Sequence, residues 1–149
     1  MTIKVLYKED KQGRKVKPLE FVRDSNVSAW VDMRAAEDVD LKAGEFKIIN
    51  LGVCMRLPSG FEGHIAPRSS TFKKWGIIMT NSVGVVDPAY SGDDDVWGMP
   101  VYATRDTHIS FNDRICQFRI EKQQPMIQFK EVNRLSKESR GGFGSTGDN

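Results

Sequence analysis

Asn81-Ser82-Val83-Gly84-Val85-Val86-Asp87-Pro88-Ala89-Tyr90-Ser91-Gly92 is the stretch around which the chain is read. A β-branched run from Val83 to Val86, broken by Gly84, ends at a carboxylate. Val favours strands, whereas Asp, Pro and Gly close together mark a turn. The pattern predicts a hairpin whose first strand closes at Asp87 and whose turn runs through Pro88 to Gly92. Glycine inside a strand weakens it but lets another group come close to the backbone. Two readings stay open on these residues alone. The stretch is either a surface turn containing an Asp, or a mouth that holds a small ligand by main-chain bonds and acts on it with Asp87.

Outward from this stretch, short apolar runs recur between turn signals. Ile3 to Tyr7 alternates, and Lys11 to Lys17 reads as a basic turn. Phe46 to Leu51 and Val53 to Leu57 are strand-like and separated by Gly52; Pro58-Ser59-Gly60 is a strong turn. Gly63 to Ala66, Ile77 to Thr80, Val96 to Tyr102, Arg114 to Ile120 and Met126 to Val132 follow. In Arg114 to Ile120, strict alternation sets Ile115, Gln117 and Arg119 against Arg114, Cys116, Phe118 and Ile120. Many short, evenly spaced strands predict an all-β sandwich, jelly roll or barrel. Ser70 to Trp75 is the best helix candidate, one or two turns stopped at Gly76.

The chain has 149 residues, 39% hydrophobic and 28% charged, with net charge +2. One domain with a real core is expected. Lys and Arg are scattered, so nothing marks a nucleic-acid surface. No apolar run approaches the about 20 residues that span a membrane. Met1-Thr2-Ile3-Lys4 shows no secretory leader. Cys54 and Cys116 both lie in apolar runs and read as reduced core residues of a cytoplasmic protein.

After Val132 there is little to bury. The division predicted is a domain over 1–132 and an arm over 133–149, ending Arg140-Gly141-Gly142-Phe143-Gly144-Ser145-Thr146-Gly147-Asp148-Asn149. Such a glycine-rich terminus is expected to be mobile unless tied down. Its N–H groups can also form an anion-binding nest.

Ala66-Pro67-Arg68-Ser69-Ser70-Thr71 puts a guanidinium and three hydroxyls at the start of the predicted helix. Free N–H groups there favour anions, and the arginine fork matches phosphate oxygens. A plain serine cap is the competing reading. Gln117 lies beside Arg114 and Arg119 and is either a phosphate donor or a half-exposed strand residue. Asp32, Glu37, Asp38 and Asp40 form one acidic patch, and Asp93, Asp94 and Asp95 another. Neither has calcium-loop spacing, so solvated loops are expected. Cys54, His64, His108 and Cys116 lack paired zinc-ligand spacing. There is no P-loop, no dinucleotide fingerprint and no Ser-His-Asp set.

The order of these signals is more informative than any one. Ala29 to Ala35 with Asp32, Pro67-Arg68-Ser69-Ser70, Gly84-Val85-Val86-Asp87 with Tyr90 and Gly92, Arg114-Ile115-Cys116-Gln117-Phe118, and Arg140 to Gly147 follow one another. This resembles the ordered motifs of the trimeric dUTP pyrophosphatase (dUTPase) family over nearly the whole chain beyond Ser28. The resemblance implies an all-β jelly roll, or distorted β-barrel, with a flexible C-terminal arm. It implies a homotrimer with sites shared by three subunits, and hydrolysis of dUTP to dUMP and pyrophosphate with Mg²⁺ on the triphosphate.

It also implies roles. Asp87 activates the attacking water and bonds the 3′-hydroxyl. Tyr90 packs under the deoxyribose and excludes a 2′-hydroxyl. Asn81, Gly84, Val85 and Val86 read uracil. Arg68, Ser69, Ser70 and Gln117 hold phosphates. Phe143 stacks on uracil, while Arg140, Ser145 and Thr146 engage the phosphates and Gly144 joins them in binding the substrate. No side chain ligates the metal. The chain departs from the pattern at Trp30 and Val31, in the long Asp93-Asp94-Asp95-Val96-Trp97-Gly98 loop, and in the short Arg140 to Phe143 spacing. Trp97 reads as a pocket wall or a lid.

Two rivals share the fold. A dCTP deaminase needs a catalytic glutamate soon after the hairpin, yet no Glu occurs between Glu62 and Glu121. A dUTPase-like nucleotide sensor that docks to a regulatory protein is the other.

Overall fold

The computed structural model describes residues 1–21, 29–144 and 146–147. Eleven strands and one helical turn make up its regular structure. In chain order they are β1 (Lys4–Tyr7), β2 (Val31–Arg34), β3 (Val39–Leu41), β4 (Phe46–Asn50), β5 (Val53–Arg56) and β6 (Phe61–Pro67). Then come α1 (Thr71–Trp75), β7 (Ile77–Met79), β8 (Gly84–Val86), β9 (Gly98–Ala103), β10 (Thr107–Ile109) and β11 (Arg114–Lys122).

Among the described residues the strands form a four-stranded sheet β2-β11-β6-β8, a three-stranded sheet β4-β9-β7, and the pairs β1-β5 and β10-β3, all antiparallel. All share one core. Met33, Ile65, Cys116 and Phe118 meet Ile49, Met99 and Val101, with Val53, Met55, Leu41 and Ile109 around them. The period-two pattern dictates this: in β9, Met99, Val101 and Ala103 are buried while Tyr102 is exposed. The helix is one turn, and Gly76 ends it in the left-handed conformation at φ 65°, where glycine has no steric cost.

Three expectations are corrected. First, β8 does not form a hairpin with the strand that follows it. It pairs with β6, while β9 joins the other sheet between β4 and β7. The buried Trp97 enforces the crossing. Its N–H bonds the Val53 carbonyl and its carbonyl accepts from Leu51. Its ring fills the space over Gly63, where a Cβ would lie 2.7 Å from Cη2, and meets Phe118 edge-on at 5.4 Å.

Second, Met126 to Val132 forms no strand. The last strand ends at Lys122, and Met126 and Phe129 stand exposed with no ladder to join. Third, strict alternation fails at the start of β11. Arg114 pairs with Arg34 but Cys116 pairs with Met33, so Ile115 is an extra residue, a bulge. Ile115 and Cys116 are both buried.

Candidate active site

Two groups of predicted residues come together, at opposite corners of the four-stranded sheet. The first surrounds a recess of about 350 Å³ lined by Asn81, Gly84, Val85, Val86, Asp87 and Tyr90, with Ile48, Ile65, Val96, Trp97, Gly98 and Pro100. That volume lies in the range of small-ligand pockets. Gly84 is needed for packing: a Cβ there would sit 3.1 Å from Met79 and 3.2 Å from Ile65. Its close neighbours are therefore core side chains. Asp87 stands exposed at the rim, and its carbonyl accepts the Tyr90 N–H at 3.0 Å.

The loop beyond Asp87 is tied at several points. Tyr90 Oη donates to the Val96 carbonyl at 3.0 Å. Burial, with the Asp95 charge nearby, pushes the Tyr90 phenol up, so it stays protonated and able to donate. Gly92 N–H donates to Asp95 Oδ2 at 2.8 Å, and Lys8 Nζ donates to the Asp93 carbonyl and Asp94 Oδ1. The Asp93 to Asp95 run is thus an internally bonded loop. Trp97 is 1% exposed, a wall of the recess and not a lid. Among the described residues its Nε1 is a buried polar atom without a partner.

The second group centres on Asp32. Its Oδ1 accepts Arg68 Nε at 2.9 Å and its Oδ2 accepts Arg114 Nη1 at 3.2 Å. Arg68 Nη1 also reaches the Arg114 carbonyl. Gln117 stands opposite Asp32 on β2 and Ala66 on β6, and its Nε2 donates to the Pro67 carbonyl at 3.1 Å. Ser69 and Ser70 are exposed beside Arg68, and Ser70 makes no side-chain cap bond. Two guanidiniums and an amide, each held by an acceptor of this chain, thus gather beside the exposed Ser69 and Ser70, a donor set of the kind that suits an anion.

Arg114, outside the predicted phosphate set, joins this group. Residues 114 and 117 fall on opposite faces of a regular strand; the bulge at Ile115 brings both to one side. Thr71, one of the three predicted hydroxyls, does not face outward. It is fully buried, accepts the Arg68 N–H at 2.9 Å and donates to the Ile115 carbonyl at 2.8 Å.

Of the predicted arm residues, Arg140, Phe143, Gly144 and Thr146 are exposed, and Ser145 lies outside the described residues. Phe143 holds a positive φ of 51°. A larger recess of about 650 Å³ is lined, among the described residues, by Met1, Ile3, Phe21, Ala29, Val31, Phe118, Arg119 and Ile120, none of which is a carboxylate.

The acidic patch dissolves into pairs. Glu37 meets Lys47, Asp38 meets Arg14, and Asp40 meets His108. Among the described residues no three His, Cys, Asp or Glu could together hold a metal. Both cysteines are free and buried, and burial pushes both thiols up. No helix among the described residues is long and apolar enough to cross a membrane.

The dUTPase family model matches residues 20–147. The chain is 50% identical over 147 residues to the SPbeta prophage-derived deoxyuridine 5′-triphosphate nucleotidohydrolase YosS of Bacillus subtilis, covering 99% of each. It is 38% identical to the deoxyuridine 5′-triphosphate nucleotidohydrolase of Neorickettsia sennetsu over 127 residues, covering 83% of this chain and 84% of the relative. Among solved structures, a Staphylococcus bacteriophage 80alpha dUTPase superposes with TM-score 0.75 at 21% identity, covering 97% of this chain and 98% of the other. The dUTPase of phage phi11 of S. aureus, described with a structural Mg(II) ion, gives 0.73 at 18%, covering 91% and 99%. These superpositions establish the jelly-roll-like all-β fold. The family match and the curated relatives define a nucleotide-hydrolysing enzyme. The chain belongs to the dUTPase family.

Proposed function

We propose that this enzyme hydrolyses dUTP to dUMP and pyrophosphate, with one catalytic carboxylate, Asp87, and with each site assembled from more than one copy of the chain. The observation that carries this reading is Asp87 at the rim of a nucleoside-sized recess whose other walls include Asn81 and the β8 backbone. Those main-chain groups offer uracil a fixed donor and acceptor pattern. Cytosine would leave buried polar groups unpaired, and poor pairing of this kind is costly. Tyr90, tied to Val96, gives the deoxyribose a firm platform.

Asp87 takes a proton from water as the water oxygen bonds to the α-phosphorus. The bond from that phosphorus to the α–β bridging oxygen breaks, and pyrophosphate leaves. Such a reaction depends on positioning and charge stabilisation, without protein covalent chemistry. Arg68, Ser69, Ser70 and Gln117 hold the phosphates. Arg140, Phe143, Gly144, Ser145 and Thr146 close over the nucleotide. The donor set suits Mg²⁺ that arrives on the substrate: hard cations of this size keep water and phosphate ligands, and the described residues form no carboxylate cage. Bound there, Mg²⁺ supplies charge neutralisation on the triphosphate.

Geometry supports the shared site. Val86 pairs with Gly63, so Asp87 lies beyond one end of β8, near the level of Glu62. Asp32, which anchors the Arg68 guanidinium, is at the level of Ala66 and three strands away. At roughly 3.3 Å per residue and 4.8 Å per strand, the two carboxylates are about 20 Å apart. A general base works within about 3 Å of its water. The two clusters therefore serve one phosphate chain most simply when they come from different copies.

The β4-β9-β7 sheet offers a surface for such a copy. Phe46, Tyr102 and Ile78 stand in one row across its outer face, with Ile48 and Pro100 beside them. Ile48 and Pro100 also border the recess. An apolar face of this kind marks an interaction surface, and a homotrimer covers it. The buried free thiols suit the cytoplasm. Incubation with dUTP, dCTP and Mg²⁺ tests the reading. Pyrophosphate from dUTP alone is expected; ammonia from dCTP, or no turnover, contradicts it.

A further inference from the structure

Pro67 to Thr71, the segment that carries Arg68, Ser69 and Ser70, is fastened to β11 from beneath. Gln117 Nε2 holds the Pro67 carbonyl, and Thr71 Oγ1 sits between two main-chain groups. It accepts the Arg68 N–H and donates to the Ile115 carbonyl. Ile115 is the bulged residue of β11, out of register with β2. The hydroxyl thus satisfies two backbone groups of segments outside regular pairing. Thr71 is 0% exposed, so no water replaces it.

We infer that Thr71 is a positioning residue for triphosphate binding: a latch that fixes the Arg68 backbone to the β11 bulge, while Asp32 fixes the Arg68 guanidinium. This rests on the reading that Arg68 binds phosphate. Held at both ends, Arg68 needs no reordering when the anion arrives. Valine has nearly the same shape as threonine but cannot bond either group, so Arg68 N–H and the Ile115 carbonyl lose their partner together. Misplacement of a binding group by about 1 Å costs on the order of 100-fold.

The test compares Thr71→Val, Thr71→Ser and Arg68→Ala in the full-length protein, titrated with the α,β-imido analogue of dUTP and with dUMP. Thr71→Val is expected to weaken the triphosphate analogue roughly 10- to 100-fold while leaving dUMP nearly unchanged, and Thr71→Ser to restore most of the loss. Equal losses on both ligands, or none, overturn the latch. If Arg68→Ala keeps full affinity for the analogue, the phosphate reading itself fails; if Arg68→Ala loses it and Thr71→Val does not, only the latch fails. Should Thr71→Val not fold, amide exchange in the unmodified protein decides. The Arg68 N–H is expected to be strongly protected, and fast exchange there contradicts the latch.

Discussion

Asp87 and Arg68 lie at opposite ends of β6. Asp87 follows the Val86–Gly63 pair and Arg68 follows Pro67, the last residue of the strand. Antiparallel pairing fixes both positions, so no side-chain rotation in one chain brings them together. On the proposed reading, this relationship makes assembly part of the chemistry.

Asp87→Asn keeps the shape of the side chain and removes the proposed base. Turnover is expected to fall about 10²- to 10⁴-fold, with binding of the imido analogue of dUTP within a few fold of the unmodified enzyme. Calorimetric titration beside a pyrophosphate-release assay measures both. Near-normal turnover would remove Asp87 from its role.

Deleting Arg140 to Asn149 removes a segment whose described residues are exposed and lie outside the core. The thermal midpoint is expected to stay the same while hydrolysis collapses. Unchanged turnover would show that the arm does not close over the substrate.

Trp97 supports the recess from inside the core. Trp97→Ala empties the space over Gly63 and removes the edge-on contact with Phe118; buried Trp→Ala changes cost about 3–5 kcal/mol. Gly63→Ala should also destabilise, because its Cβ would lie 2.7 Å from the ring. Urea unfolding of each variant reads the loss.

The pairs around Arg14 predict behaviour in acid. Burial pushes the Asp10 carboxyl up, but the Arg14 main-chain N–H, the Arg14 guanidinium and the Gln12 N–H outweigh it and hold the group below its usual 3.8. Asp38 is held low chiefly by the Phe111 N–H, against burial, with Arg14 adding to the effect. A carboxylate with a lowered folded value contributes stability fully above its unfolded value. That contribution disappears as pH falls through the folded value. Stability should therefore fall as pH drops below about 4, and Arg14→Ala should flatten that dependence in melts from pH 7 downward.

The sequence carried much of this. Val, Ile and Met at alternate positions marked most strands, and Gly76 marked the end of α1. The recess residues from Asn81 to Tyr90 were legible because they are contiguous. Partnering was not. A run such as Gly84-Val85-Val86 shows that a strand exists but not which strand it joins; the buried Trp97 decides that by tertiary packing. The cluster around Asp32 was half legible. Arg68 and Gln117 could be named, but Arg114 and Thr71 depend on a bulge at Ile115, which alternation cannot reveal. Met126 to Val132 has strand composition but no neighbour to pair with in a single chain.

On the proposed reading, one copy supplies the base and another the phosphate donors. Asp87→Asn and Arg68→Ala, each inactive alone, should be unfolded together, refolded as a mixture and assayed for pyrophosphate from dUTP. Random mixing of copies in a closed oligomer then gives intact sites in about a quarter of cases, so activity near that fraction of the unmodified enzyme is expected. Activity no greater than the two variants show separately, in a mixture shown by mass to contain hybrids, would contradict it.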